Sequence, residues 1–137
     1  MSADRHTVLL VDDIADNIAL LATILAGRYR IRAATGGAQA LAICRSADPP
    51  ALVLLDVVMP GMDGYAVCRE LKSDAATARI PVIFVSGNAG LEEEQCFEVG
   101  GADFVTKPVR VPVLLRRVET HLRLVEAERT IARLSAG

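Results

Sequence analysis

An α/β fold, built as a five-stranded parallel sheet doubly wound by helices, is what this 137-residue sequence predicts. Three observations predict it. Five short β-type runs alternate with helical patterns, the beat of repeated strand–helix units. Three of those runs are nearly continuous in Val, Ile and Leu, as strands covered on both faces are. Polar residues recur where the runs end, and in a parallel sheet those ends share the carboxyl edge, where ligands bind.

The elements follow in order. The β-type runs are "TVLLV" (7–11), "RIRAA" (30–34), "ALVLL" (51–55), "PVIFV" (81–85) and "DFVT" (103–106). In the first helical segment Ile14, Ile18, Leu21 and Leu25 recur at +4, +3 and +4, one helical face, and Gly27 is a plausible stop. "GGAQALAICRS" (36–46) places Ala38, Leu41 and Ala42 at helical spacing. "GYAVCRELK" (64–72) sets Val67, Cys68 and Leu71 on one side. "LEEEQCFEVG" (91–100) predicts a helix with acids in its first turn and Gly100 at its end. The last helix begins near Val111, with Pro112 suited to a first turn.

Bulk properties exclude several function classes. One domain of this length buries a core unaided. Net charge is −2, so no basic excess points to nucleic acid. Aromatic residues make up 4% and Trp is absent, which argues against a base-stacking platform. No apolar run has the length of a membrane span. The N-terminal "MSADRHTVLLVDD" carries acids where a signal peptide would be apolar, so a cytoplasmic location is expected. Cys44, Cys68 and Cys96 are odd in number and form no C-x-x-C pair; they read as small core residues of a reducing compartment.

The polar residues carry the chemistry. In "LVLLDVVMPGMDG" (52–64) a buried strand runs straight into an acid and then into a breaker-rich loop. An isolated ionised carboxylate is costly to bury, so Asp56 belongs at the rim, beside water or a cation. Asp12 and Asp13 follow the first run, Ser86 the fourth and Lys107 the fifth. Three carboxylates at one edge repel unless a cation joins them, and oxygen ligands with room for water suit Mg²⁺. A metal and a lysine around one acid neutralise an incoming phosphoryl group. That makes Asp56 a candidate nucleophile. Each residue also has a plainer role when taken alone. Asp13 is then best read as a helix cap, Ser86 as a turn residue and Lys107 as a solvated side chain. Asp63 reads as a turn or cap residue, and His6 and His121 as tail and helix surface. The chemical reading rests on five polar residues landing together.

From about Thr7 to His121 the sequence resembles the receiver domain of response regulators in bacterial two-component signalling. The matching pieces are "LLVDD", "LVLLDVVMPGMDGYAVCRELK", "IPVIFVSG" and "GGADFVTKPV". The resemblance implies a flavodoxin-like (βα)5 fold over residues 1–122, with residues 123–137 as a helical extension or linker to an output domain. It implies that Asp56 accepts a phosphoryl group from a histidine kinase or phosphotransfer protein. Asp13 would bind Mg²⁺ directly, Asp12 mainly through water, and the Val58 backbone carbonyl would be a further ligand. Ser86 and Lys107 would hold phosphoryl oxygens. Phe104 matches the switch aromatic, and the bond before Pro108 is cis in the family, an isomer that costs little before proline. Phosphorylation would shift a two-state equilibrium on the face formed by the fourth helix, fifth strand and fifth helix. Such a domain is a phospho-acceptor rather than an enzyme in the usual sense, although it assists its own phosphorylation and dephosphorylation.

Some positions depart from the family pattern. Ser86 stands where Thr is commoner, Gly87 where Ala is common, and Phe104 where Tyr also occurs. Val58 and Asn88 flank the site and would influence water attack on the acyl phosphate. Two other classes are weighed. An aspartyl-phosphate phosphatase needs a general acid two residues after its nucleophile, and that position is Val58. A phosphorylation-independent interaction module usually lacks an acid or the lysine, and this sequence lacks neither.

The end of the chain carries a second apolar pattern. Leu124, Ala127, Ile131 and Leu134 are spaced +3, +4 and +3, a coiled-coil seam, which predicts a parallel homodimer through the last helix and its extension. "VPVLLRRVETHLRLVEAERTI" also resembles the connector that precedes cyclic-di-GMP-handling and other enzymatic output domains. No DNA-binding motif is evident after the fifth helix, and neither direct nucleic-acid nor membrane binding is expected.

Overall fold

The computed structural model describes residues 5–87 and 89–136, with backbone alone for 89–92. Its elements are β1 (Thr7–Val11), α1 (Ala15–Leu25), β2 (Arg30–Ala34), α2 (Gly37–Cys44), β3 (Leu52–Asp56), α3 (Gly64–Lys72), β4 (Val82–Ser86), α4 (Ala89–Glu98), β5 (Asp103–Thr106) and α5 (Val111–Ala136). All five strands are parallel, in the order β2-β1-β3-β4-β5. Successive β-α-β connections explain the parallel pairing, because a crossover helix returns the chain to the same sheet edge. The order reverses between β1 and β3, which opens a crevice at their carboxyl ends.

Two apolar cores sandwich the sheet. Residues alternate in a strand, so Leu9, Val53, Leu55 and Phe84 face a layer containing Leu41, Val67, Cys68, Leu71 and Cys96, from α2, α3 and α4. Val8, Leu10, Leu52, Leu54 and Ile83 face Leu21 and Leu25 of α1 and Leu114, Val118 and Leu122 of α5. Continuous apolar strands are thus buried on both sides, as their composition requires.

The structure shifts several expected details. β3 and β4 each end one residue later than the apolar runs, so Asp56 and Ser86 are final strand residues rather than followers. Strand pairing continues through a polar residue when its backbone still has a partner: Asp56 pairs Val85, and Ser86 pairs Thr106. Ile14 is the N-cap of α1 and is exposed, so the core-facing side of that helix starts at Ile18, which packs partly buried beside Leu21 and Leu25. In α2 the buried residues are Gly37, Ala40, Leu41 and Cys44, while Ala38 and Ala42 face solvent. α4 begins at Ala89, two residues ahead of the expected start. Gly100 follows α4 with φ +99°, a conformation that side chains disfavour and that suits a helix-ending glycine. All three cysteines are buried, as expected of core residues.

α5 is one helix of 26 residues. Its early turns bury Leu114, Val118, Leu122 and Val125. Leu124, Ile131 and Leu134 lie on another face and are exposed, Leu134 by 78%. Neither histidine is a bare surface residue. Asp103 Oδ2 lies 3.0 Å from His121 Nε2, and Arg117 binds both oxygens of the same carboxylate at 3.2 and 3.3 Å. His6 Nε2 lies 3.1 Å from Glu126 Oε1, between the chain's start and α5.

Candidate functional site

The crevice at the β1–β3 reversal gathers the polar residues. Asp12 leaves β1 directly, its backbone N–H still donating to Ala34 O across β2 at 3.2 Å. Asp56 ends β3, the next strand over. Lys107 follows β5, and its backbone N–H donates to Ser86 O at 2.8 Å, which ties the end of β5 to the end of β4. The peptide bond from Lys107 to Pro108 is cis. Sheet register alone therefore brings four chain segments to one edge.

The side chains converge. Lys107 Nζ donates to Asp56 Oδ1 at 3.2 Å and stands 3.6 Å from Asp12 Oδ2. Asp12 and Asp56 are 3% and 7% exposed, Ser86 is 1% exposed, and Asp13 is open to solvent. Burial pushes the Asp56 carboxyl above the usual carboxylate range. The neighbouring Asp12 charge adds to that push, and the Lys107 ammonium opposes it. Val58 lies two residues beyond Asp56 with an exposed side chain. At position 87 a Cβ would meet nothing within 4 Å, so the mouth beside Ser86 is open. Asn88 lies outside the described residues.

Asp12, Asp13 and Asp56 each offer a carboxylate oxygen, and these oxygens lie within 4.8 Å of one another. Opposite ligands of an octahedral Mg²⁺ are about 4.2 Å apart. The donor set is all oxygen and faces open solvent through Asp13, so waters can complete the shell. The residues fit the cation in chemistry, three carboxylates with access to water, and the 4.8 Å spread of their oxygens is slightly wider than an octahedral Mg²⁺ requires. Lys107, from the segment after β5, brings its positive charge within 3.2 Å of Asp56 and 3.6 Å of Asp12.

The loop after β3 packs closely against the backbone of Asp56 and Val57. Gly64 N–H donates to Val57 O at 2.8 Å. A Cβ at Gly64 would sit 2.3 Å from Asp56 O and 3.0 Å from Val57 Cα, so only glycine lets the chain pass this close behind the acid. Asp63 caps α3, its carboxylate accepting from Ala66 N–H at 2.9 Å, the role expected of it. Asp13 does not cap α1. Asp12 does part of that work, accepting from Ile14 N–H at 2.9 Å, because Asp12 points into the fold and Asp13 away from it.

Sequence reasoning missed Asn17. Its Nδ2 donates to Asp12 Oδ2 at 3.0 Å from the first turn of α1. A polar residue five positions after an edge carboxylate, one turn into the following helix, is the signal that was there to find. Phe104 is partly buried against the core on the α4 side. It meets Phe97 edge-on, with ring centroids 6.2 Å apart and planes at 84°.

Known proteins resemble this arrangement along most of the chain. The sequence model described as "Response regulator receiver domain" matches residues 8–119. A Vibrio cholerae protein named "Probable cyclic di-GMP phosphodiesterase" is 50% identical over 118 residues, 85% of this chain and 26% of that protein. Response regulator PleD of Caulobacter vibrioides is 43% identical over the same length and shares. The chain thus spans about a quarter of the length of these relatives. Among solved structures, the receiver domain of a signal transduction histidine kinase from Syntrophus aciditrophicus is 33% identical. It has a TM-score of 0.78 and covers 86% of this chain and 90% of that one. NtrX of Brucella abortus is 30% identical with a TM-score of 0.84, covering 95% of this chain and 30% of its own.

Proposed function

The chain belongs to the response regulator receiver domain family, and on that premise we propose that Asp56 is its phospho-acceptor and that Asp12, Asp13 and the Val58 carbonyl hold Mg²⁺ beside it. The observation that carries this reading is the Asp12–Asp13–Asp56 cluster with the Lys107 ammonium 3.2 Å from the Asp56 carboxylate. An Asp56 oxygen attacks the phosphorus of a phosphohistidine or a small acyl phosphate. The new O–P bond forms as the donor's N–P or O–P bond breaks, and the leaving group keeps the bonding pair. Bound Mg²⁺ supplies countercharge to the phosphoryl oxygens. Lys107 exchanges its bond to Asp56 for one to a phosphoryl oxygen, and the Ser86 hydroxyl takes another. Preorganised charge of this kind stabilises the transition state because it needs no rearrangement at the moment of reaction.

The phosphoryl group then biases a two-state element. Ser86 ends β4 and Phe104 lies in the adjacent strand, in register with Phe84. Movement of Ser86 toward the phosphoryl group frees space for Phe104 and changes the α4–β5–α5 face. The partners are a histidine kinase or phosphotransfer protein in the cytoplasm and an output domain or protein that reads that face. Enzymatic output, as the name of the Vibrio relative describes, would belong to a different domain. The exposed stripe of Leu124, Ile131 and Leu134 supports a homodimer through α5, since it lies away from the face that α5 buries on its own sheet. Among the described residues no helix is long and apolar enough to cross a membrane.

The deciding experiment is intact mass after incubation with acetyl phosphate and Mg²⁺. One added phosphoryl group is expected, lost on chelation and absent in Asp56→Ala. Labelling that persists unchanged in that variant overturns the assignment.

A further inference from the structure

We infer that Asn17 is a positioning residue of the cation site, acting through Asp12; the inference rests on the metal reading above. Asp12 sits where three carboxylates crowd within 4.8 Å. Left to itself, a carboxylate in such a cluster turns away from its neighbours. Two donors hold it, one from the N-cap of α1 and one from its first turn. Ile14 N–H binds Oδ1 at 2.9 Å, and Asn17 Nδ2 binds Oδ2 at 3.0 Å. One donor per oxygen fixes the plane of the carboxylate as well as its direction.

The chemistry of the donor matters. The Asn17 amide is neutral, so it orients Asp12 without adding a cation that would compete with Mg²⁺. Lys107 stands 3.6 Å from the same Oδ2, and it is also bonded to Asp56. A lysine that moves to a phosphoryl oxygen leaves Asp12, whereas Asn17 does not depend on that exchange. Asn17 therefore keeps Asp12 in place through the whole cycle. Partners that orient a metal ligand typically change metal affinity by about 10–100-fold when removed.

Asn17 is partly exposed in the first turn of α1, where alanine is a better helix former, so Asn17→Ala retains the fold. The test is a Mg²⁺ titration of the full chain followed by backbone amide NMR shifts, with thermal melts in chelator alongside. Asn17→Ala is expected to weaken Mg²⁺ binding about tenfold or more while its melt in chelator stays at the wild-type value. Asn17→Gln, which keeps the amide donor, is expected to recover most of the affinity. Acetyl phosphate labelling of Asn17→Ala should be slow at low Mg²⁺ and approach wild type at saturation. Wild type that binds Mg²⁺ while Asn17→Ala binds it equally well overturns the role of Asn17 alone. Wild type that binds no Mg²⁺ overturns the cation-site reading and this inference with it.

Discussion

Lys107 places its Nζ 3.2 Å from Asp56 Oδ1, reaching across 51 residues of chain. The pair joins the end of β3 to the segment after β5, skipping β4 between them. One ammonium does not neutralise two buried acids, and Asp12 remains as a repelling neighbour.

That imbalance predicts a stability effect. A carboxyl whose folded pKa is raised contributes stability that is present below its unfolded pKa and lost as pH rises through the folded value. At neutral pH without metal, above the ordinary carboxylate range, the upward shift of Asp56 therefore costs the fold stability. Asp56→Asn should stabilise the metal-free chain by on the order of 1 kcal/mol, seen as a higher urea midpoint. Millimolar Mg²⁺ should stabilise wild type by mass action and the variant less. A variant that is less stable than wild type in chelator counts against the charge crowding.

The β4–β5 edge predicts a separable switch. Ser86→Ala should still accept a phosphoryl group, because Asp56 and Lys107 remain. Phosphorylation-induced NMR shifts around Phe104 and Phe97, whose rings touch edge-on, should shrink. If the variant shows the same shifts as wild type, Ser86 does not couple the site to that face.

The buried thiols predict an alkaline limb. Burial raises Cys44 and Cys68 to about 11, with nearby Arg32 and Arg45, and Lys72 and Arg69, opposing in part. Their contribution is complete below the unfolded value near 9, and is lost as pH climbs from there toward the folded value. Each thiol should remove up to ~1.4 kcal/mol of stability per pH unit in that window. Chemical denaturation from pH 8.5 to 10.5 should show the decline, and Cys44→Ala with Cys68→Ala should flatten it relative to wild type. Equal slopes in both proteins would rule out a thiol origin.

The outer face of α5 predicts association. Glu119–Arg123 and Glu126–Arg129 pair along the helix at 3.6 and 3.9 Å, but exposed pairs of this kind are worth only tenths of a kcal/mol. The apolar stripe decides. Sedimentation equilibrium should give a dimer for the full chain. A chain ending at Leu122, or one carrying Ile131→Lys and Leu134→Lys, should be monomeric. A full chain that stays monomeric at high concentration, phosphorylated or not, excludes this dimer.

Much of the fold and most of the site were legible in the residues alone. Apolar runs alternating with helical faces determine a parallel sheet, because sequential βαβ units admit little else. A parallel sheet puts every strand's end at one edge, so Asp12, Asp13, Asp56, Ser86 and Lys107 could be gathered from order alone. Tertiary structure decided what periodicity does not encode. Over the eight residues of α2 the 3.6-residue repeat leaves the phase open, and packing against α3 chose Ala40 and Cys44 over Ala38 and Ala42. An apolar N-cap such as Ile14 looks like one more core position until the chain's entry into the helix is known. His121 reads as helix surface because its partner, Asp103, lies 18 residues away on another element. Asn17 stands outside the apolar periodicity, and its residue type shows only that it can donate. Its part in the site is decided by the turn between β1 and α1, which brings that amide to Asp12.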